Sequence, residues 1–383
     1  MVEKRVVYGL LGPLEMSVDG RAVSIGTPKQ RAVLAALLLN RNRAVAADSL
    51  IDAVWGEDPP AEARASLHAY MSNLRRLLGT AGVDGRAVIA KKPPGYRLNV
   101  DDTDVDLGRF VREKAAGVEA AAAGRFEDAV RHFTAALDEW RGACLADLRE
   151  FEFVEQFATA LTEDKITTHT ALAEAEMACG RAEAVIKELE GLVAGHPYRE
   201  PLWAQLMTAY YLADRQSDAL DAYQRLKGIL GEELGIDPNP TVSALHERIL
   251  RQEPLDIKKS ARRTAAETLV STIHRPAAGA SPLVARLRAA SGECFPVKGA
   301  VTRIGRLAEN DVVLADAKVS RYHAVIIDTG TGYIINDAGS ANGVELQQER
   351  IRGSAALVDG DHIRIGGSEF VFELQPVEDE EAG

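Results

Sequence analysis

Two stretches in the first hundred residues carry side chains that could grip a polyanion. In AEARASLHAYMSNLRRLLG (61–79), apolar Leu67, Tyr70, Met71, Leu74, Leu77 and Leu78 recur at helical spacing. At 100° per residue they fall within about 120° of arc, which predicts a helix with one face for a core. The opposite side carries Ala65, His68, Ala69, Ser72, Arg75 and Arg76, with Arg64 at its flank. A face that is small and basic can approach a major groove closely and reach phosphates and base edges. Downstream, VIAKKPPGYRLNV (88–100) reads as a hairpin: a strand, a Lys91-Lys92-Pro93-Pro94-Gly95 turn, and a strand carrying Tyr96 and Arg97. Such a basic hairpin is a wing, placed to touch a backbone or a minor groove.

Other chemistries find no residues to carry them. There is no G-x-x-x-x-G-K-[ST], H-E-x-x-H, G-x-S-x-G or kinase signature set, so no nucleophile or metal is assigned. The three cysteines, Cys144, Cys179 and Cys294, are far apart and never in C-x-x-C, which supports neither a disulfide framework nor a cysteine-based zinc site. The expectation is a protein that is not an enzyme and needs no cofactor.

The elements that must position the basic face begin upstream of it. Thr27-Pro28-Lys29-Gln30 offers an N-cap, a proline at the first helical position and Gln at the third, which predicts a capping box opening a helix that buries Val33, Leu34, Leu37 and Leu38. A second helix is expected from near Asp48, burying Leu50, Ile51, Val54 and Trp55. With short β-like runs (VVYGLL, LEMSV, YRLNV) around them, the order of strands, three helices and a wing resembles the OmpR/PhoB-type winged helix-turn-helix.

The net charge of −12 over 383 residues, taken whole, argues against a nucleic-acid partner. Its distribution removes the objection. Residues 1–100 hold 14 basic and 9 acidic side chains, 101–255 hold 16 and 30, and 256–383 hold 15 and 18. The texture changes at the same places. Residues 1–100 form the expected DNA-binding domain, and 101–252 are Ala- and Leu-rich with helical periodicity throughout. Residues 253–283, rich in Ala, Ser, Thr and basic side chains, read as a linker, with Thr264, Thr268, Ser271 and Thr272 open to phosphorylation. Residues 284–376 alternate Gly/Asn/Asp turns with β-branched runs, the pattern of a β-sandwich or barrel. The acidic tail is 377–383. No run approaches the ~18 apolar residues that span a bilayer, and the N-terminus lacks the pattern of a signal peptide, so no membrane insertion and a cytoplasmic location are expected.

Within the helical middle, Gly124 is followed by Ala129, Phe133 and Ala136 at offsets 5, 9 and 12. Gly180 is followed likewise by Val185, Leu189 and Leu192, and Asp214 by Ala219, Tyr223 and Leu226. The step from 180 to 214 is the repeat length of tetratricopeptide-like hairpins, which must stack to bury their faces. The step from 124 to 180 is longer. With W-R-G-x-x-L-A-D-L at 140–148 and E-L-G-I-D-P at 233–238, the first 252 residues resemble the Streptomyces antibiotic regulatory protein (SARP) family of activators, whose middle part is the bacterial transcriptional activation domain. The resemblance implies tandem or homodimeric binding to direct repeats in promoter DNA, and RNA polymerase as a further partner.

The last domain carries R-I-G-R at 303–306, N-D-V-V-L at 310–314, S-R-Y-H at 320–323, G-S-A-N-G at 339–343 and D-G-D at 359–361. The series resembles the forkhead-associated (FHA) domain, a β-sandwich whose loops bind phosphothreonine. By that resemblance Arg306, Ser320, Arg321 and Asn342 meet the ligand, while Gly305, His323 and Gly343 shape the loops. The chemistry agrees: Arg306 offers a planar cationic fork, Ser320 a hydroxyl donor, and Asn342 an amide that can pair with a peptide backbone. Ala341 departs from the family, which places Ser or Thr there. The expected fold class is thus multidomain α+β: a winged helix-turn-helix, an all-α tetratricopeptide-like domain and an all-β FHA sandwich.

The combined architecture, with stretches such as GTPKQRAVLAALLLNRNR and HPYREPLW, resembles a kinase-coupled branch of the activator family. That implies a phosphorylated Ser/Thr protein kinase as partner and cell-wall arabinosyltransferase genes as targets. A second class stays open at this point: a phosphothreonine-dependent scaffold or kinase-binding competitor without productive DNA binding.

Overall fold

The computed structural model describes residues 4–56, 59–272, 283–297, 301–307, 310–328, 333–338, 340–351 and 354–376. The chain forms two compact units, one built from 1–111, 139–162 and 270–383, the other from 112–138 and 163–269.

The first unit opens with an antiparallel sheet of β1 (Val6–Gly9), β2 (Glu15–Val18) and β3 (Arg21–Ala22). Helix α1 (Pro28–Leu39) follows, and Thr27 accepts from the Gln30 N–H at 3.4 Å. The capping box is only half formed, because the Gln30 amide donates to the Ile25 carbonyl instead of reaching back to Thr27. Next come β4 (Ala44–Ala46), α2 (Ala47–Trp55), α3 (Ala63–Thr80), α4 (Gly85–Val88), β5 (Ile89–Lys92) and β6 (Gly95–Leu98). The hairpin is a three-stranded sheet in the order β4-β6-β5, in which Val45 pairs with Tyr96. Leu67, Met71, Leu74 and Leu78 of α3 are buried, whereas Tyr70 and Leu77 are only half-buried. Trp55, expected in the core, is also half-buried and stacks on Tyr70, ring centroids 6.1 Å apart and 12° from parallel.

Eight further helices are α5 (Asp106–Ala122), α6 (Phe126–Asp138), α7 (Glu152–Ala178), α8 (Ala182–Gly195), α9 (Glu200–Leu212), α10 (Gln216–Leu234), α11 (Pro240–Leu250) and α12 (Ile257–Thr272). Segment 139–162, inside the part expected to be helical from residue 101, belongs to the first unit. Its W-R-G-x-x-L-A-D-L residues hydrogen-bond the turn between β1 and β2: Arg141 N donates to Leu11 O at 2.7 Å, Leu145 N donates to Leu10 O at 3.0 Å, and Leu14 N donates to Asp147 at 2.7 Å. Asp147 also pairs with Arg31. Buried Asp106 accepts from Leu10 N, Leu11 N and the Arg141 guanidinium at 2.8, 2.9 and 3.2 Å. Segment 139–162 lies inside the long first repeat step, between Gly124 and Gly180.

In the second unit the repeat reading takes physical form. Gly124, Gly180 and Asp214 all adopt positive φ at the turn between paired helices, and Ala129, Phe133, Ala136, Val185, Leu189, Ala219 and Leu226 are buried; Leu192 and Tyr223 are half-buried. The linker reading is corrected. Helix α12 occupies 257–272, because Ala261 and Ala265, four residues apart, both find cover, Ala265 in a cluster with Phe133 and Ala175 and Ala261 beside Phe126 and Ala178. The rest of that stretch up to 282, and the acidic tail 377–383, lie outside the described residues.

The C-terminal sandwich pairs a five-stranded sheet with a six-stranded one. The first, in the order β10-β9-β11-β12-β15, is Val312–Val313, Val301–Gly305, Ala324–Asp328, Tyr333–Asp337 and Ser354–Leu357. The second, β14-β13-β16-β17-β7-β8, is Glu349–Arg350, Val344–Leu346, His362–Ile365, Ser368–Pro376, Leu283–Ala289 and Cys294–Pro296. Leu287, Ile304, Ile326, Ile335, Ile363 and Phe372 fill the space between the sheets. Cys144 is buried, Cys179 half-buried and Cys294 exposed, all as free thiols. Among the described residues no group of three His, Cys, Asp or Glu side chains is placed to hold a metal ion, and no helix is long and apolar enough to cross a membrane.

Candidate functional site

The basic face of α3 divides into side chains that project and side chains that brace. Arg64, His68, Ser72 and Arg76 are exposed, as are Lys91 and Lys92 on β5. Arg64 is ion-paired with Asp48, a surface pair that can exchange for a phosphate at little cost. Arg75 is half-buried and turned toward the wing: its Nε donates to Ile89 O at 2.9 Å and its guanidinium lies 5.6 Å from the Tyr96 ring centroid. His68 Nδ1 meets the Tyr96 hydroxyl at 2.6 Å. Arg97 is half-buried, and its Nε has no hydrogen-bond partner among the described residues. Arg75, His68 and Tyr96 therefore lock helix to hairpin, leaving Arg76, Ser72, Lys91 and Lys92 as the outward set. Tyr96, which does the bracing, is a residue whose role periodicity could not reveal.

In the sandwich, the loops after β9, before β11 and before β13 converge. Arg306 is exposed, and its backbone N–H donates to Ser320 O at 3.0 Å, so the arginine and serine loops are tied together. Gly305 is required by close approach: a Cβ there would stand 2.2 Å from the Arg321 carbonyl oxygen. His323 is fully buried; its Nδ1 accepts from Ser320 N at 3.0 Å, which leaves Nε2 to donate to Gly343 O at 3.0 Å. Ser320 Oγ accepts from Ala341 N at 3.2 Å and keeps its own proton for a ligand oxygen. Asn342 donates from Nδ2 to Lys318 O at 2.6 Å, leaving its carbonyl oxygen as acceptor. Gly343, at φ 78°, sits in the left-handed region, and its N–H donates to Ser340 Oγ at 2.9 Å. Gly339, the first residue of the G-S-A-N-G motif, lies outside the described residues.

Three supports escaped the sequence reading. Asn310 Nδ2 donates to both Leu307 O (3.0 Å) and Arg321 O (2.9 Å), Asp337 accepts from Ser340 N at 2.8 Å, and Asp316 accepts from Lys318 N and Gly367 N at 2.9 and 2.7 Å. Those two backbone donors hold the Asp316 carboxyl below the usual carboxylate range. The signal for all three is an Asn or Asp beside a turn, common enough to be uninformative without the fold. The result is an exposed guanidinium, a hydroxyl and an amide on loops fixed by buried hydrogen bonds, an arrangement suited to a phosphorylated side chain and its backbone.

Comparison with known proteins follows the same three parts. Residues 21–98 match the family model "Transcriptional regulatory protein, C terminal", 105–250 the "Bacterial transcriptional activator domain", and 302–366 the "FHA domain". The chain is 63% identical over 374 residues to the transcriptional regulatory protein EmbR of Mycobacterium tuberculosis, covering 97% of this chain and 96% of that protein. It is 55% identical over 252 residues to the transcriptional regulatory protein MoaR1 of the same organism, covering 66% of this chain and 81% of the relative. Among solved structures, Mycobacterium tuberculosis EmbR in complex with a low affinity phosphopeptide superposes with a TM-score of 0.95 at 62% identity, covering 98% of this chain and all of that one.

Proposed function

The chain belongs to the EmbR family of transcriptional regulatory proteins, and we infer from that membership that it binds promoter DNA through α3 and the β5–β6 hairpin and binds phosphothreonine through the loops around His323. The chain is a transcriptional regulator, not an enzyme, as its relatives are. The observation that carries the DNA reading is the outward set of Arg76, Ser72, Lys91 and Lys92 on a braced helix and wing. The phosphothreonine reading rests on Arg306, Ser320 and Asn342 held by the buried His323 network.

In this reading a phosphorylated Ser/Thr protein kinase docks at the sandwich, in the cytoplasm, and docking sets the output at the promoter. The stacked helices, whose sequence segment is strongly acidic, repel the duplex and leave their surface for protein partners, RNA polymerase among them, with a second copy of the chain alongside on the DNA. A gel-shift titration against the promoter upstream of its own gene, at several salt concentrations, tests the DNA half. Binding to the promoter should be tighter than to random sequence and should lose affinity as salt rises. Equal and salt-insensitive binding to both sequences rules it out.

A further inference from the structure

The first unit contains a cleft of about 1160 Å3 that shares residues with the phosphothreonine loops. Leu307 and Arg321, which line it, are the immediate chain neighbours of Arg306 and Ser320. Its other wall comes from the winged helix: Lys29 of α1, Trp55 of α2 and Tyr70 of α3. Trp55 and Tyr70 are stacked, and the Lys29 ammonium lies 5.2 Å from the Trp55 ring centroid, so the wall is a preformed, half-covered aromatic surface. The two sides are also joined at Arg43, 3.7 Å from the buried Asp328 at the end of β11.

Charge does not choose the occupant, because Asp52, Glu150 and Glu152 line the cleft together with Lys29, Arg303 and Arg321. Continuity does. A chain anchored by its phosphate at Arg306 and Ser320 needs to advance only past Leu307 or Arg321 to enter the cleft, and an extended peptide covers up to about 3.5 Å per residue. An aromatic surface of this kind takes an apolar side chain.

We propose that the flank of a bound phosphothreonine peptide runs into this cleft and seats an apolar side chain against Trp55 and Tyr70, so that the winged helix forms part of the peptide-specificity surface. The inference rests on the phosphothreonine reading and deepens it. Tyr70 belongs to the helix that presents Ser72 and Arg76, and peptide binding therefore acts directly on the element that reads DNA. By linkage, DNA must act on peptide affinity by the same factor.

The test compares synthetic phosphothreonine peptides of about five and about thirteen residues, the longer carrying Leu on both flanks, titrated calorimetrically into the full chain. The longer peptide should bind about ten-fold tighter or more, the gain expected for burying one apolar side chain. That gain should vanish in Trp55→Leu and return in Trp55→Phe, with short-peptide affinity unchanged throughout. Tryptophan emission supplies a second readout that needs no destabilised variant: the long peptide alone should shift it, and Trp55→Phe should abolish the shift. Equal affinity for both peptides, or a length gain and emission shift indifferent to residue 55, overturns the inference and leaves the phosphothreonine reading standing. Failure of both peptides to bind overturns both.

Discussion

The backbone N–H of Ser320 donates to Nδ1 of the fully buried His323 at 3.0 Å, and through the opposite ring nitrogen the same imidazole holds Gly343 O at 3.0 Å. One side chain thus spaces the loop that offers a hydroxyl from the loop that offers an amide. His323→Ala leaves both backbone groups without a partner, each costing about 1–3 kcal/mol. The expected outcome is a lowered unfolding midpoint for the sandwich together with weakened phosphopeptide binding, although His323 itself is fully buried. Calorimetry and chemical unfolding on the same variant check both, and an unchanged midpoint speaks against the spacing role.

Arg306→Ala should act differently. The side chain is exposed, so the fold should be unaffected, while loss of charge-assisted hydrogen bonds worth about 1.5–3 kcal/mol each weakens phosphothreonine-peptide binding by at least about ten- to a hundred-fold. Asn342→Ala should follow the same pattern.

Ala341→Ser should strengthen the same binding. Residue 341 is exposed, and its N–H already faces Ser320 Oγ at 3.2 Å, so an added hydroxyl would stand beside the ligand-facing one. A net hydrogen bond is worth about 1 kcal/mol, or roughly five-fold in affinity. A weaker or unchanged constant means the loop is already complete.

The two adjacent arginines of α3 should separate. Arg76→Ala should lower DNA affinity across sequences and reduce the slope of affinity against salt by about one counterion, with no loss of stability. Arg75→Ala removes the bond to Ile89 O and the cover over Tyr96, and should lower the unfolding midpoint of the winged helix. Identical behaviour of the two variants in both assays contradicts the division of the face into projecting and bracing residues.

In the helical unit, burial pushes the Glu174 carboxyl up from 4.5 to about 7, against hydrogen bonds from Gln205 and Thr264 that favour its charged form. A carboxyl whose pKa is higher folded than unfolded contributes stability that is complete below about pH 4.5 and is lost as pH rises through about 7. Between those values wild type should lose stability relative to Glu174→Gln, which stays neutral. Chemical unfolding of both proteins across this range reads the difference, and parallel curves would contradict it.

Much of this architecture was legible in the chain because its signals are local. Thr27-Pro28 opens α1, the apolar spacing of 67–78 orients α3, and the turn residues Gly124, Gly180 and Asp214 mark the helical hairpins. What was not legible depends on partners distant in sequence. W-R-G-x-x-L-A-D-L sits in the long step between repeats with no visible local role, and only the fold shows Arg141 and Asp147 serving Asp106, Leu14 and Arg31 in the first unit. The Ala/Ser/Thr-rich stretch after 253 looked like a spacer because its apolar residues are small, yet Ala261 and Ala265 suffice when the facing surface is already formed. The same limit governs the sites: residue type suggested Arg75 as a reader, and only Ile89 and Tyr96 show that it braces.

If the proposed function holds, phosphothreonine docking at the sandwich sets the DNA affinity of the winged helix within one chain. The direct measurement is the dissociation constant for a labelled promoter duplex, with and without saturating phosphothreonine peptide, for wild type and Arg306→Ala. Wild type should show a peptide-dependent shift that Arg306→Ala abolishes. The same constant in all four conditions would contradict it.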